Sequence, residues 1–206
     1  MMKSFFVAAA AATALSAAPA MAQDATPTGL YVGALVGWDH LETKGDLGSG
    51  GKDGVVFGAI VGYDAKIGGS ALVGFEAEID GASTKRQERD LLVTGDRGAI
   101  KSGRDLYAGV RLGFEASPGL VIYAKGGYTN AKIIAEYDDG AGFKESERVV
   151  ADGYRLGGGV QKALTSRIAA RLEYRYSDYG TLRYQGFSLD QDARRQQVVF
   201  ALTGTF

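Results

Sequence analysis

Residues 170–180 read Ala-Arg-Leu-Glu-Tyr-Arg-Tyr-Ser-Asp-Tyr-Gly. Taken alternately, Ala170, Leu172, Tyr174 and Tyr176 form an apolar and aromatic set, and Arg171, Glu173 and Arg175 a charged one. Successive side chains of a β-strand point to opposite faces, so the stretch reads as one strand with an oily side and an ionic side. In a soluble sheet the ions would meet water and Leu172 a core. In a sheet closed into a barrel within a membrane, the ions would point into the lumen and Leu172 would touch lipid.

The N-terminus bears on the compartment. Lys3 precedes an apolar run from Phe5 to about Ala18, and Ala20-Met21-Ala22 offers a small-residue cleavage pattern. This reads as a secretory signal peptide over residues 1–22, leaving residues 23–206 as one domain. The run is shorter than the ~20 apolar residues a helical span needs. The chain has no cysteine, which excludes disulfides, thiolate nucleophiles and cysteine metal sites. Its net charge of −1 argues against nucleic acid as a partner. Glycine is abundant, with 31 residues against three prolines, and sits inside alternating segments, as in YVGALVG and GYRLGGGV. That placement suits a crowded barrel wall.

Eight alternating segments follow, at about 28–39, 54–66, 71–82, 102–115, 120–131, 149–162, 167–177 and 194–206. Connections after the second, fourth and sixth are short. Those after the first, third, fifth and seventh are long, at about 40–53, 83–101, 132–148 and 178–193. Regular alternation of tight turns and long loops is the pattern of a transmembrane barrel. One face of each segment is apolar, with Trp38, Tyr128, Tyr154 and Tyr174 toward the loop ends and Tyr63, Phe114 and Phe206 toward the turn ends. These are the aromatic girdles expected at two membrane interfaces. The opposite face gathers Glu76, Glu78, Asp80, Asp105, Glu115 and Glu173 with Arg111, Lys125, Arg155, Arg171 and Arg175, beside Tyr107, Tyr123, Gln161 and Gln197. A balanced charged interior fits a polar plug, whereas a soluble ligand-binding barrel would be apolar inside. The predicted fold is therefore an all-β, eight-stranded antiparallel transmembrane barrel, with Arg171, Glu173 and Arg175 turned inward.

Three stretches also resemble the small outer-membrane β-barrel family, which includes OmpA-like and opacity-type proteins and the major surface antigens of alphaproteobacteria. They are GGGVQKALTSRIAARLEYRYSDYG (157–180), YVGALVGW (31–38) and DLYAGVRLGFEASPGLVIYAKGGYTNAKI (105–133). The resemblance covers essentially all of residues 23–206, and RLEYRYSDYG is its most specific part. It implies a monomeric barrel in the outer membrane of a Gram-negative bacterium. It also implies that the last strand and its final Phe206 are read by the outer-membrane assembly machinery.

Eight strands leave a lumen that side chains nearly fill, so the charged interior reads as structural. The function expected is that of a surface protein: envelope integrity, lipopolysaccharide contact, and adhesion to host or cell-surface ligands. A narrow small-solute pore is the alternative, and a lipid-modifying outer-membrane enzyme a lesser one. No cofactor, metal or catalytic residue is assigned. The single histidine, His40, follows Asp39, and strand neighbours cannot face each other. It therefore reads as a loop residue. Asp138-Asp139 and Asp190-Gln191-Asp192 offer carboxylates of the kind Ca²⁺ takes, without the ligand number a site needs. In the second long loop, Lys85, Arg86, Arg89, Arg97 and Lys101 are the candidates for lipopolysaccharide phosphates. Leu91, Leu92 and Val93 there could prolong the flanking strands as a hairpin, and Tyr179, Tyr184 and Phe187 of the fourth loop could add an adhesive surface. A membrane barrel of this kind runs at a different position on an SDS gel before and after boiling. A soluble protein with one mobility would instead put the ions of residues 171–175 in water.

Overall fold

The computed structural model describes residues 26–45, 50–83, 85–89, 97–138, 144–184 and 187–206. The expected signal peptide, Leu91–Val93 and Asp139 lie outside them. The strands are β1 (Gly29–Gly45), β2 (Gly50–Ile67), β3 (Ala71–Ala82), β4 (Lys85–Arg89), β5 (Arg97–Ser117), β6 (Leu120–Asp138), β7 (Lys144–Ala163), β8 (Ile168–Tyr184) and β9 (Phe187–Thr205). All pairings are antiparallel. β5 pairs with β3 through Phe114–Asp105 and with β4 through Lys101–Arg97, so β3 and β4 make one wall strand. The β3–β5 pairing closes the sheet, and the result is an eight-stranded barrel.

Following the register once around shows the stagger. Tyr31 is opposite Gly62, which leads through Glu76, Gly109, Gly127, Arg155, Ser177 and Arg195 to Leu41, farther up the strand that holds Tyr31. Such stagger is what closing a tilted sheet requires. Along this circuit Gly62, Gly109 and Gly127 stand among the large side chains of Tyr31, Glu76, Arg155 and Arg195. A Cβ on Gly62 would stand 2.7 Å from the carbonyl oxygen of Phe75, and one on Gly109 2.4 Å from that of Gly126. Glycine there lets neighbouring strands approach and leaves room for the long ionic side chains. At the turn end, Gly68 (φ 67°) and Gly119 (φ 71°) adopt the left-handed conformation that tight hairpins need.

Among the described side chains the wall strands present the faces read from their alternation, except that Ala170, expected outside, is 4% exposed. Outside, Phe75 is 67% and Leu112 60% exposed; inside, Arg111 is 1% and Arg155 0% exposed. At the loop end Tyr128 is opposite Tyr154, while Tyr174 and Trp38 are both opposite Val198. Toward the turn end Tyr63 is opposite Phe75, with Phe114 and Phe206 also exposed.

Two expectations change. First, the long loops are largely strand. β6 runs to Asp138, β7 begins at Lys144, and β8 and β9 meet at Tyr184 opposite Phe187. Apolar alternation ends where the outer face leaves oil, but backbone hydrogen bonds continue through polar residues. Asp138, Asp190, Asp192 and His40 accordingly stand in strands. Second, the interior is not wholly polar: Leu35, Val56, Ile60, Val199 and Ala201 cluster with Tyr31 on the β9–β1–β2 side.

Val110 lies midway along the outward face of β5, 47% exposed. With that face in lipid, Val110→Arg lowers stability by about 2–4 kcal/mol, measurable as an earlier urea unfolding midpoint in phospholipid vesicles. An unchanged midpoint would place this face in water.

Candidate functional site

The site that stands out is the interior of the barrel. Seven acids (Asp39, Asp64, Glu76, Glu78, Asp80, Asp105, Glu173) and six bases (Arg111, Lys125, Arg155, Arg171, Arg175, Arg195) are buried there among the described residues. Strand β3 supplies Glu76, Glu78 and Asp80 at every second position, and β8 supplies Arg171, Glu173 and Arg175 in the same way. An acidic stripe on β3 thus faces a mainly basic one on β8, with Glu173 between its two arginines.

The pairs form a column. Nearest the turns, Arg111 binds Asp64. Gln161 Oε1 accepts from both Arg111 (2.9 Å) and Arg171 (2.8 Å), and Arg171 also reaches Glu76 at 2.7 Å. The guanidinium carbons of Arg171 and Arg111 lie 4.3 Å and 4.0 Å from the ring centroids of Tyr31 and Tyr123. These phenols donate to Glu76 (2.7 Å) and Glu173 (2.8 Å). At mid-height Lys125 Nζ stands 2.7 Å from Glu76, 2.5 Å from Glu78 and 2.9 Å from Glu173. Above it, Arg155 and Arg175 both hold Glu78 (3.0 and 2.8 Å) and Asp80 (3.1 and 3.0 Å), and Arg155 reaches Asp105 at 2.5 Å. At the loop end Arg195 grips both oxygens of Asp39 (2.6 and 3.0 Å), Gln197 donates to Asp39 (2.9 Å), and Tyr179 donates to Asp105 (2.6 Å).

Eight of the nine residues expected in the lumen charge network therefore join one another. Glu115 does not. It sits at the turn-end mouth, bound to Lys66 and to Thr26 (2.5 Å), and accepts from the Gly119 amide at 3.4 Å. It lies next to the β5–β6 turn, and its partners are groups at that mouth instead of members of the column. Four members went unread: Asp39, Asp64, Arg195 and Tyr31. Parity marked each of them, since Asp64 follows Gly62 and Arg195 precedes Gln197 on inward positions. Their partners come from strands remote in sequence, and only closure reveals those. Tyr179, expected in a surface loop, is 4% exposed and packs with Ala131, Ala151 and Ala193 inside the mouth.

His40 and Asp39 part company as alternation requires. Asp39 is inside with Arg195, whereas His40 Nδ1 lies 2.8 Å from Asp53 Oδ1 and the ring stacks on Trp38 at 5.6 Å between centroids. Among the described residues no group of three or more His, Cys, Asp or Glu side chains could hold a metal ion. On the outer wall, Tyr128 donates to Asp152, and Tyr174 donates to Gln196 at 3.1 Å. The lipopolysaccharide candidates lie on the β4–β5 ribbon, where Lys85 is opposite Lys101, Arg86 opposite Ile100, and Arg89 opposite Arg97.

Removing one member of a buried ion cluster leaves its partners uncompensated, at a cost of about 3–5 kcal/mol. Lys125→Met takes from Glu76, Glu78 and Glu173 the one cation they share, leaving the cluster short of positive charge, and lowers stability by that amount in urea unfolding. Glu115→Gln, at the rim, costs at most about 1 kcal/mol. Equal effects of the two substitutions would mean that the column is hydrated.

A model of the outer membrane protein beta-barrel domain family matches residues 8–200. The 25 kDa outer-membrane immunogenic proteins of Brucella abortus and Brucella melitensis are each 27% identical over 157 residues, which cover 76% of this chain and 66% of the relative. The matched region thus spans just under two thirds of these relatives' length. The crystal structure of Neisserial surface protein A superposes with a TM-score of 0.54 at 17% identity, covering 87% of this chain and 98% of that one. That likeness supports the same barrel fold. A closed eight-stranded wall with an oily exterior, matched by the family model along nearly the whole sequence, places the protein in the outer membrane: the chain belongs to the outer membrane protein beta-barrel domain family.

Proposed function

We propose that this protein is a surface barrel of the outer membrane whose work is structural and interactive: it supports the envelope, contacts lipopolysaccharide and presents its loop-end ribbons to cell-surface or host ligands. The observation that carries this reading is the buried column from Asp64–Arg111 to Asp39–Arg195, packed against the apolar sector of Leu35, Val56, Ile60 and Val199. Ions paired to one another at successive heights, and walled by aliphatic side chains, serve to fill a lumen. The Brucella relatives are named as outer-membrane immunogenic proteins, which supports exposure of the ribbons.

Other parts take their places in the same reading. Residues 1–22 direct secretion and are removed, leaving the barrel of residues 23–206. Trp38, Tyr128, Tyr154 and Tyr174 mark the outer interface, and Tyr63, Phe114 and Phe206 the inner one. The backbone amide of Phe206 donates to the carbonyl of Leu30 (2.9 Å) while its side chain is 83% exposed, leaving the terminal aromatic accessible to the assembly machinery. The barrel acts as a monomer, without cofactor, nucleic acid or catalytic step.

A filled lumen predicts no stable single-channel steps when the protein is reconstituted in a planar bilayer, for the wild type and for Glu115→Gln alike. Long-lived steps in the wild type would overturn this reading in favour of a narrow pore.

A further inference from the structure

Near its loop end β8 leaves the registers of both neighbouring strands at one point. The β7–β8 ladder ends with Tyr154 opposite Asp178. The β8–β9 ladder pairs Asp178 with Arg194 and resumes with Thr181 opposite Asp192. Among the described pairings, Tyr179 and Gly180 therefore have no partner on either side. Three steps along β8 are matched by two along β9, which is the count of a bulge. Gly180 takes φ 59°, the left-handed conformation that favours glycine, and its amide donates to Asp178 Oδ1 at 2.9 Å.

The side chain at this unpaired point is nevertheless buried. Alternation from Arg175 and Ser177 turns Tyr179 inward, onto the top of the ion column, and its hydroxyl donates to Asp105 Oδ2 at 2.6 Å. Its ring packs with Ala131 of β6, Ala151 of β7 and Ala193 of β9. Two residues away on the same strands the inward positions carry Thr129 and Arg195, and four away on β7 Arg155. The wall thus changes from long polar side chains to methyl groups where the phenol sits. Gly153, between Ala151 and Arg155, completes the socket, because a Cβ there would stand 2.7 Å from the Cα of Tyr179.

Side-chain packing, and not the ladder, therefore holds this point of β8 in place. Release is cheap in charge, since Asp105 keeps Arg155 (2.5 Å), Arg195 (3.3 Å) and Thr129 (2.6 Å) when the phenol leaves. No buried carboxylate is stranded, and the freed hydroxyl exchanges its bond for one to water. We propose that Tyr179 is a hinged lid over the loop-end mouth: its ring stops the lumen, its hydroxyl latches on Asp105, and the unpaired backbone at Tyr179–Gly180 lets it swing outward. The open lid admits water and small ions to the Asp105–Arg155–Arg195 end of the column. Deeper pairs, from Arg155–Glu78 to Arg111–Asp64, stay in place, so the opening is an outward-facing vestibule and not a through-passage. The barrel thereby has two states of its outer mouth, which goes beyond the surface role proposed above.

The chain has no cysteine, so T129C introduces a single thiol at a fully buried position bound to Asp105 beneath the lid. L72C does the same in the apolar layer of Leu72, Val121 and Tyr123, away from the lid. Labelling by a small charged methanethiosulfonate is timed on the full barrel in detergent micelles, and folding of each variant is checked by heat-dependent gel mobility. A lid that opens gives slow but complete labelling of T129C. Y179F keeps the ring and loses the latch, and is expected to speed that labelling at least tenfold while changing L72C less than twofold. Y179A, which empties the socket, speeds it further; if it does not fold, Y179F carries the test. No labelling of T129C, with or without Y179F, would make Tyr179 a fixed plug and overturn the lid. Equal rates for T129C and T129C/Y179F would remove the latch on Asp105 and overturn the proposal as stated. Acceleration of L72C by as much as T129C would mean that the whole barrel loosens, and would overturn it as well.

Discussion

The carboxylate of Glu78 sits buried in the middle of the barrel, held by Lys125 from β6, Arg155 from β7 and Arg175 from β8. No neighbour within its own strand could neutralise it, because the inward positions on either side, Glu76 and Asp80, are also acidic. Strand β3 therefore carries a stripe of three buried carboxylates that only a closed sheet can compensate. The cations that do so come from strands 47 to 97 residues away in sequence. Burial of such charges is unfavourable unless each is paired and hydrogen-bonded, so the same column that fills the lumen also makes closure nearly all-or-none.

The rest of the wall is arranged around that column. Glycines on inward positions let strands approach where Arg, Lys and Tyr side chains take up the space, as at Gly62 and Gly109. The β9–β1–β2 sector presents Leu35, Val56, Ile60 and Val199 instead of ions, which keeps water from the pairs it faces. Tyrosines do double service, with rings under guanidinium groups and hydroxyls on carboxylates, as Tyr31 does for Arg171 and Glu76. The outer face then has only to be apolar, and its bands of aromatic residues bracket small aliphatic ones. Beyond the bands the strands persist, so the protein meets its surroundings with hydrogen-bonded ribbons.

How much of this could be read in advance differs from residue to residue. Arg171, Glu173 and Arg175 were assignable to the inside because a period of two is local: each residue's face follows from its neighbours'. Glu76, Glu78, Lys125 and Arg155 were assignable for the same reason. Glu115 obeys the same parity yet takes no part in the column, because its height relative to the other charges depends on the stagger of the closed sheet. Asp39 and Arg195 were hidden by a different cause. Each lies at the margin of its apolar alternation, where the outer face has already turned polar and the segment looks finished, although the hydrogen-bonded ladder continues. Tyr179 looked like a loop aromatic on the same grounds.

By itself, then, the sequence determined the strands, their two faces, the order of short and long connections and the sign of the interior. All of these follow from backbone geometry acting over a few residues. Tertiary structure alone decided which ions meet, since partners are chosen by register around the barrel, and how far the strands extend. It also decided the phase of alternation along β5, where the register against β6 shifts by one residue between Ser102 and Asp105. One bulge inverts a face because the period of a strand is two, and its position is visible only against the paired strand.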